Sequence, residues 1–299
     1  MASQDPLTQL FTLKPPESVT EMRSLLDAFA GFMNVGLPEV GAFHEAVPVH
    51  EGVTADVIVP AGAGPHPVLV YLHGGGWVCG SPATHRKLAH RFAEAGYLVF
   101  NVDYRLAPEH PFPTPLEDCV EAIRWAHREA RRFGGDPERL AVGGDSAGGN
   151  LSAAAAIELA GEEACPKAAL LIYGVFDFAS IGDMPEELAA GPLAEMGEKM
   201  LEMMVGAYLG AERDQALLAN PRVSPLRAAH RLPPSHVVVG TADPLVRQAE
   251  ALVKALSAAG VPHEHHVDPG MPHGFVQMEF LAPARPAIDR MIDFLRRHV

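Results

Sequence analysis

From Glu45 onward, short β-branched or aromatic runs alternate with longer stretches whose apolar residues recur every three or four positions. That alternation predicts an α/β protein with a mostly parallel sheet. The strands expected from it cover residues 45–50, 53–59, 67–72, 97–102, 139–143, 168–173, 235–240 and 263–267. The runs Pro67–Leu72, Tyr97–Phe100 and His236–Val239 are almost unbroken in apolar residues, so they belong in the middle of the sheet, covered on both faces. Helices are expected over 83–95, 114–132, 147–160, 244–259 and 284–297, the fourth opened by Asp243 as N-cap and Pro244 at the first helical position.

Two helix-like segments stand outside the alternation, 1–44 and 178–225. The second carries Met196, Met200, Met203 and Met204 at i, i+4, i+7 and i+8, one face of a helix. Such a stripe either covers a site, because methionine conforms to varied partners, or packs an ordinary core. No repeat or linker marks an independent second domain.

Composition narrows the class. With 299 residues, 48% hydrophobic and 20% charged, the chain has the material for a large core and not the makeup of a disordered one. A formal charge of -14 repels polyanions and argues against a nucleic-acid partner. Cys79, Cys119 and Cys165 are too few and too scattered for a disulfide scaffold or a four-thiolate metal site. Met1–Lys14 lacks a signal-peptide core and no run has the 18 apolar residues of a membrane span, so a cytoplasmic, membrane-free protein is expected.

The chemistry concentrates at strand ends. Gly144-Asp145-Ser146-Ala147-Gly148 sits between an expected strand and an alanine-rich helix, the context in which G-x-S-x-G presents a serine on a sharp turn. Glycines two positions either side admit close backbone approach. A serine hydroxyl needs a base, oriented by an acid. Asp243 and His273 each follow a late strand, in the order Ser, Asp, His that this arrangement uses. The glycines of His73-Gly74-Gly75-Gly76-Trp77, after the strand 67–72, let N–H groups of that loop, together with Ala147, face a developing oxyanion. A phosphate loop is excluded, since neither glycine-rich nucleotide motif is present.

With Asp103–Pro113, Gly144–Asn150, Asp243–Leu245 and His273–Phe275, these motifs make the chain resemble the bacterial hormone-sensitive-lipase-like serine esterases of the α/β-hydrolase superfamily. The resemblance implies an α/β-hydrolase fold with an eight-stranded sheet and a helical cap. The cap would be built from 1–44 and 178–225, set on a core of 45–177 and 226–299. It also implies hydrolysis of short- to medium-chain acyl esters without a cofactor, with Gly74, Gly75, Gly76 and Ala147 around the oxyanion. Trp77, Asp145, Phe29, Phe32, Met33, Met203 and Met204 are expected to touch substrate. One departure is Val246-Arg247-Gln248 after Leu245, where many relatives carry further acids, which leaves Asp243 as the only acid of its motif.

The partner expected is a small-molecule ester, with a homodimer left open. An amidase or aryl-formamidase using the same triad, and a non-catalytic small-molecule receptor on the same fold, remain as alternatives, though such receptors typically lose the base that His273 supplies. His263-Glu264-His265-His266 suggests a metal at first sight, but on a strand His263 and His265 share a face from which His266 points away. No metal is therefore expected. Glu109 and His110 are read as structural, within a loop held tight by Pro108 and Pro111.

Overall fold

The apolar runs assemble as one eight-stranded sheet in the order β1-β2-β4-β3-β5-β6-β7-β8. Its strands are β1 (Ala42–His50), β2 (Val53–Val59), β3 (His66–Leu72), β4 (Leu98–Asp103), β5 (Gly135–Asp145), β6 (Ala168–Ile172), β7 (Ser235–Ala242) and β8 (His263–Pro272). β2 runs antiparallel to both β1 and β4, and every other pairing is parallel. The structure, a computed structural model, describes residues 16–189 and 192–299. The expectations for Met1–Lys14 therefore lie outside the described residues.

The helices are α1 (Val19–Met33), α2 (Arg86–Glu94), α3 (Thr114–Glu129), α4 (Ala147–Glu158), α5 (Pro192–Leu209), α6 (Gln215–Leu218), α7 (Val246–Ala259) and α8 (Ala284–His298). β3, β4 and β6 are buried along almost their whole length, as continuous apolar runs require once helices cover both faces. The alanine-rich α4 is buried all round, and small side chains let it lie close against β5 and β6.

Three expectations shift for local physical reasons. The last strand runs to Pro272 rather than 267, because Gly240 leaves room for it: a Cβ there would stand 1.9 Å from the carbonyl oxygen of Met271. The helix after β7 begins at Val246, not Pro244, so Asp243 is no N-cap. Its Oδ1 instead accepts the Leu245 N–H at 2.8 Å, turning the chain before the helix starts. The helix expected from 83 divides into a tight 3₁₀ turn, Pro82–His85, and α2.

Candidate active site

β5 ends at Asp145 and α4 begins at Ala147, so the whole change of direction falls on Ser146. Its φ of 54° and ψ of -118° are a conformation costing a non-glycine residue on the order of 1–3 kcal/mol. The surroundings hold it there. Ser146 donates its N–H to Ile172 O at 2.9 Å, and its carbonyl accepts from Asn150 N at 3.1 Å. Gly144 and Gly148 allow the corner to pack on β3, since a Cβ on either would meet Leu72 O, at 2.3 and 1.9 Å. Asn150 pins the first turn of α4 by donating to Val175 O and Val223 O.

The two later strands bring their end residues to this corner. His273 Nε2 lies 2.9 Å from Ser146 Oγ, and His273 Nδ1 lies 2.9 Å from Asp243 Oδ2. Asp243 is fully buried and can only accept, so the ring carries its proton on Nδ1 and leaves Nε2 to accept from the serine hydroxyl. Burial disfavours a charge on His273, but the Asp243 charge and hydrogen bond, with help from Asp145, outweigh it and raise its pKa above 6.5.

The glycine loop curls back over the elbow. Gly75 has φ 127° and Gly76 φ 59°, and a Cβ on Gly75 would stand 2.0 Å from Cys79 O. The Gly75 carbonyl is turned away, accepting from Val78 N and Cys79 N. Among the described residues, the N–H groups of Gly75 and Gly76 donate to no protein acceptor. Ala147, first in α4, has an N–H that no intrahelical carbonyl can reach.

Three expected site residues are placed otherwise. Gly74 donates its N–H to Asp145 Oδ1 at 3.1 Å, so it has none to offer an oxyanion. Asp145 is buried and its carboxylate is engaged by protein groups: it also accepts from Tyr71 Oη at 2.8 Å and Gln277 Nε2 at 2.9 Å, with His85 Nε2 3.2 Å away. Burial opposes its charge, yet His85 and Tyr71 hold the carboxyl down at about 2. Trp77 is 1% exposed and stacks on Tyr208 of α5 at 4.7 Å, a core contact and not a substrate contact. Tyr71, His85 and Gln277 gave no signal as anchors in the sequence, because they meet Asp145 only through the fold.

Beside Gly274, the residue that follows His273 in the chain, opens an apolar cavity of about 210 Å³. Phe29, Phe32 and Met33 of α1 line it, opposite Gly274, Met278 and Phe280. Phe32 and Phe280 pair 5.5 Å apart and are both exposed, marking its mouth. Met203 and Met204 are not part of that lining. Both pack on the core from α5, and Met204 sits over Gly76, whose Cβ would collide with the Met204 sulfur. Glu109 pairs with Arg23 of α1 through both carboxylate oxygens at 2.7 and 2.8 Å, while Arg23 also donates to Val78 O and Ala107 O. The Arg23 guanidinium holds the Glu109 carboxyl down at about 2.

Residues 69–277 match a family model described as the alpha/beta hydrolase fold. Among curated proteins, the chain is 37% identical over 252 residues to the carboxylic ester hydrolase LipN of Mycobacterium tuberculosis, covering 80% of this chain and 65% of that protein. It is 35% identical over 237 residues to ethyl acetate hydrolase of Pseudomonas putida, covering 77% and 73%. Among solved structures, an esterase from the bacterial hormone-sensitive lipase family superposes with a TM-score of 0.82 at 35% identity, over 100% of this chain and 99% of that one. The chain thus spans about two thirds of the length of LipN and nearly all of the structural relative.

Proposed function

The chain belongs to the alpha/beta hydrolase fold family, in its hormone-sensitive-lipase-like branch, and on that premise we propose that it is a serine carboxylesterase acting on short- to medium-chain acyl esters. The observation that carries the reading is the unbroken relay Ser146 Oγ, His273, Asp243, with both links at 2.9 Å. Ser146 attacks the ester carbonyl as His273 Nε2 takes its proton, and Asp243 stabilises the imidazolium that forms. The N–H groups of Gly75, Gly76 and Ala147 receive the oxyanion. The tetrahedral adduct collapses as His273 returns the proton to the departing alcohol. Water, activated by the same ring, then releases the acyl group.

The cavity beside Gly274 supports an apolar arm of the substrate, and α1 with 178–225 acts as the cap over the core. The test is Ser146→Ala, assayed on p-nitrophenyl butanoate beside the wild type. Removing a triad nucleophile costs on the order of 10⁶-fold in kcat in related chemistry, so activity should fall to background while the thermal transition stays put. A fluorophosphonate should label Ser146 alone. Retention of more than a small fraction of kcat, or labelling of another serine, would overturn the assignment.

A further inference from the structure

The histidines of β8 do not converge as a run, but the fold adds one to them. His263 turns back to its own loop, with Nδ1 2.8 Å from Val261 O and Nε2 3.1 Å from Ser257 Oγ. β7 lies beside β8 with His236 opposite Glu264 and Val238 opposite His266, so His236, Glu264 and His266 occupy one face of the sheet. Their ligand atoms lie within 4.8 Å of one another, and among the described residues theirs is the one such group of three. A single oxygen, Glu264 Oε2, stands 3.6 Å from His236 Nδ1 and 3.7 Å from His266 Nε2. The other carboxylate oxygen is taken by Arg297 of α8, which fixes the group with Oε2 turned inward.

His236 stacks on His266 with ring centroids 5.0 Å apart and lies against Phe294, but two features of this cluster are not accounted for by that packing. His236 is 0% exposed, yet neither ring nitrogen has a hydrogen-bond partner, a loss that buried polar groups rarely bear. The separations of 3.6 and 3.7 Å are longer than hydrogen bonds but close to the roughly 3.4 Å between neighbouring ligands of a tetrahedral zinc ion. Two imidazoles and one carboxylate are a donor set that zinc takes. We propose that His236, Glu264 and His266 bind a divalent zinc-type cation that clamps β7 to β8. The site lies about 20 Å along β8 from His273, so the ion takes no part in ester cleavage.

The test uses untagged full-length protein stripped with EDTA and titrated with CoCl₂ and ZnCl₂, read by calorimetry and by the visible spectrum of cobalt. One equivalent should bind, with cobalt bands of tetrahedral intensity, and zinc should raise Tm. Glu264→Gln and His266→Gln change side chains about one third exposed, and each should weaken binding by roughly 10-fold or more. His263→Ala, on the opposite face, should bind as the wild type does. Unimpaired ester hydrolysis in the variants shows that they are folded; where Glu264→Gln fails this check, His266→Gln decides. No binding at about 1 mM metal, or affinity unchanged in a folded Glu264→Gln or His266→Gln variant, overturns the site.

Discussion

Two buried carboxylates separate the two ways the proposed site can fail. In the proposed mechanism Asp243 sets the ionisation of the base, whereas Asp145, accepting from Gly74 N, holds the glycine loop. In Asp243→Asn the charge that raises the His273 pKa is gone and burial, which lowers it, remains. The acid limb of kcat/KM, which in the wild type should turn at a pH above 6.5, should move below that value, and kcat should drop on the order of 10⁴-fold. The stability consequence has the opposite sense to that of an ordinary carboxylate. Because folding raises the His273 pKa, its pairing with Asp243 contributes fully below about pH 6.5 and is lost as pH climbs through the folded value. Thermal melts from pH 5 to 9 on wild type and Asp243→Asn should show their gap narrowing at the alkaline end; a constant gap would show that the pair is not linked to folding. Asp145→Asn should move the acid limb down less than Asp243→Asn does, since Asp145 is the lesser of the two charges that raise the His273 pKa, and should lower kcat about 100-fold with KM little changed, because a loop displaced by an ångström loses its oxyanion geometry. A limb moved as far as in Asp243→Asn, or a KM effect alone, would remove Asp145 from the positioning role.

At the scale of elements, the parts legible in the sequence were those where a residue type is forced by backbone geometry. Gly144 and Gly148 could be read as an elbow because no other side chain fits against Leu72 O. Continuous apolar runs identified the central strands because only burial on both faces calls for them. The surroundings of Asp145 and Trp77 are illegible for the converse reason: lying next to motif residues, they look like substrate contacts, and the partners that bury them, Tyr71, Gln277 and Tyr208, are distant in sequence. The same lesson separates α1 from α5. Since α1 lines the cavity and α5 does not, Phe32→Ala should move the acyl-length optimum of a p-nitrophenyl ester series to longer chains, each further methylene gaining up to about 0.8 kcal/mol. Met203→Ala should leave the optimum where it is. An optimum moved by Met203→Ala and not by Phe32→Ala would mean that the acyl chain lies on the α5 side.

For the whole molecule, the sheet separates tasks along its length. Its C-terminal strand ends carry Ser146, Asp243 and His273, while the cluster around Glu264 lies far down β7 and β8. EDTA dialysis should therefore leave kcat unchanged on p-nitrophenyl butanoate, because the proposed chemistry draws on N–H groups and an imidazole. Activity lost on chelation and restored by zinc would tie the two regions together and refute the metal-independent mechanism. Among the described residues no helix is long and apolar enough to cross a membrane.

The stack of Trp77 on Tyr208 bears on how molecules enter and leave. It joins α5 to the glycine loop, with Phe178 packed against both rings and Phe112 N donating to Tyr208 O at 2.8 Å. Lifting α5 would tear this aromatic block from the glycine loop and, under the proposed mechanism, dismantle the catalyst in the act of admitting its substrate. The α1 side is held by Arg23 on Glu109 and on two carbonyls, by Asn34 on Ala83 O and Lys87 N, and by buried Met22, and there Phe32 and Phe280 frame the opening. Traffic should then pass by that apolar opening beside α1, with α5 as the fixed doorpost. Slackening Arg23 should quicken exchange of a slow-leaving product, whereas loosening Tyr208 should cost turnover itself.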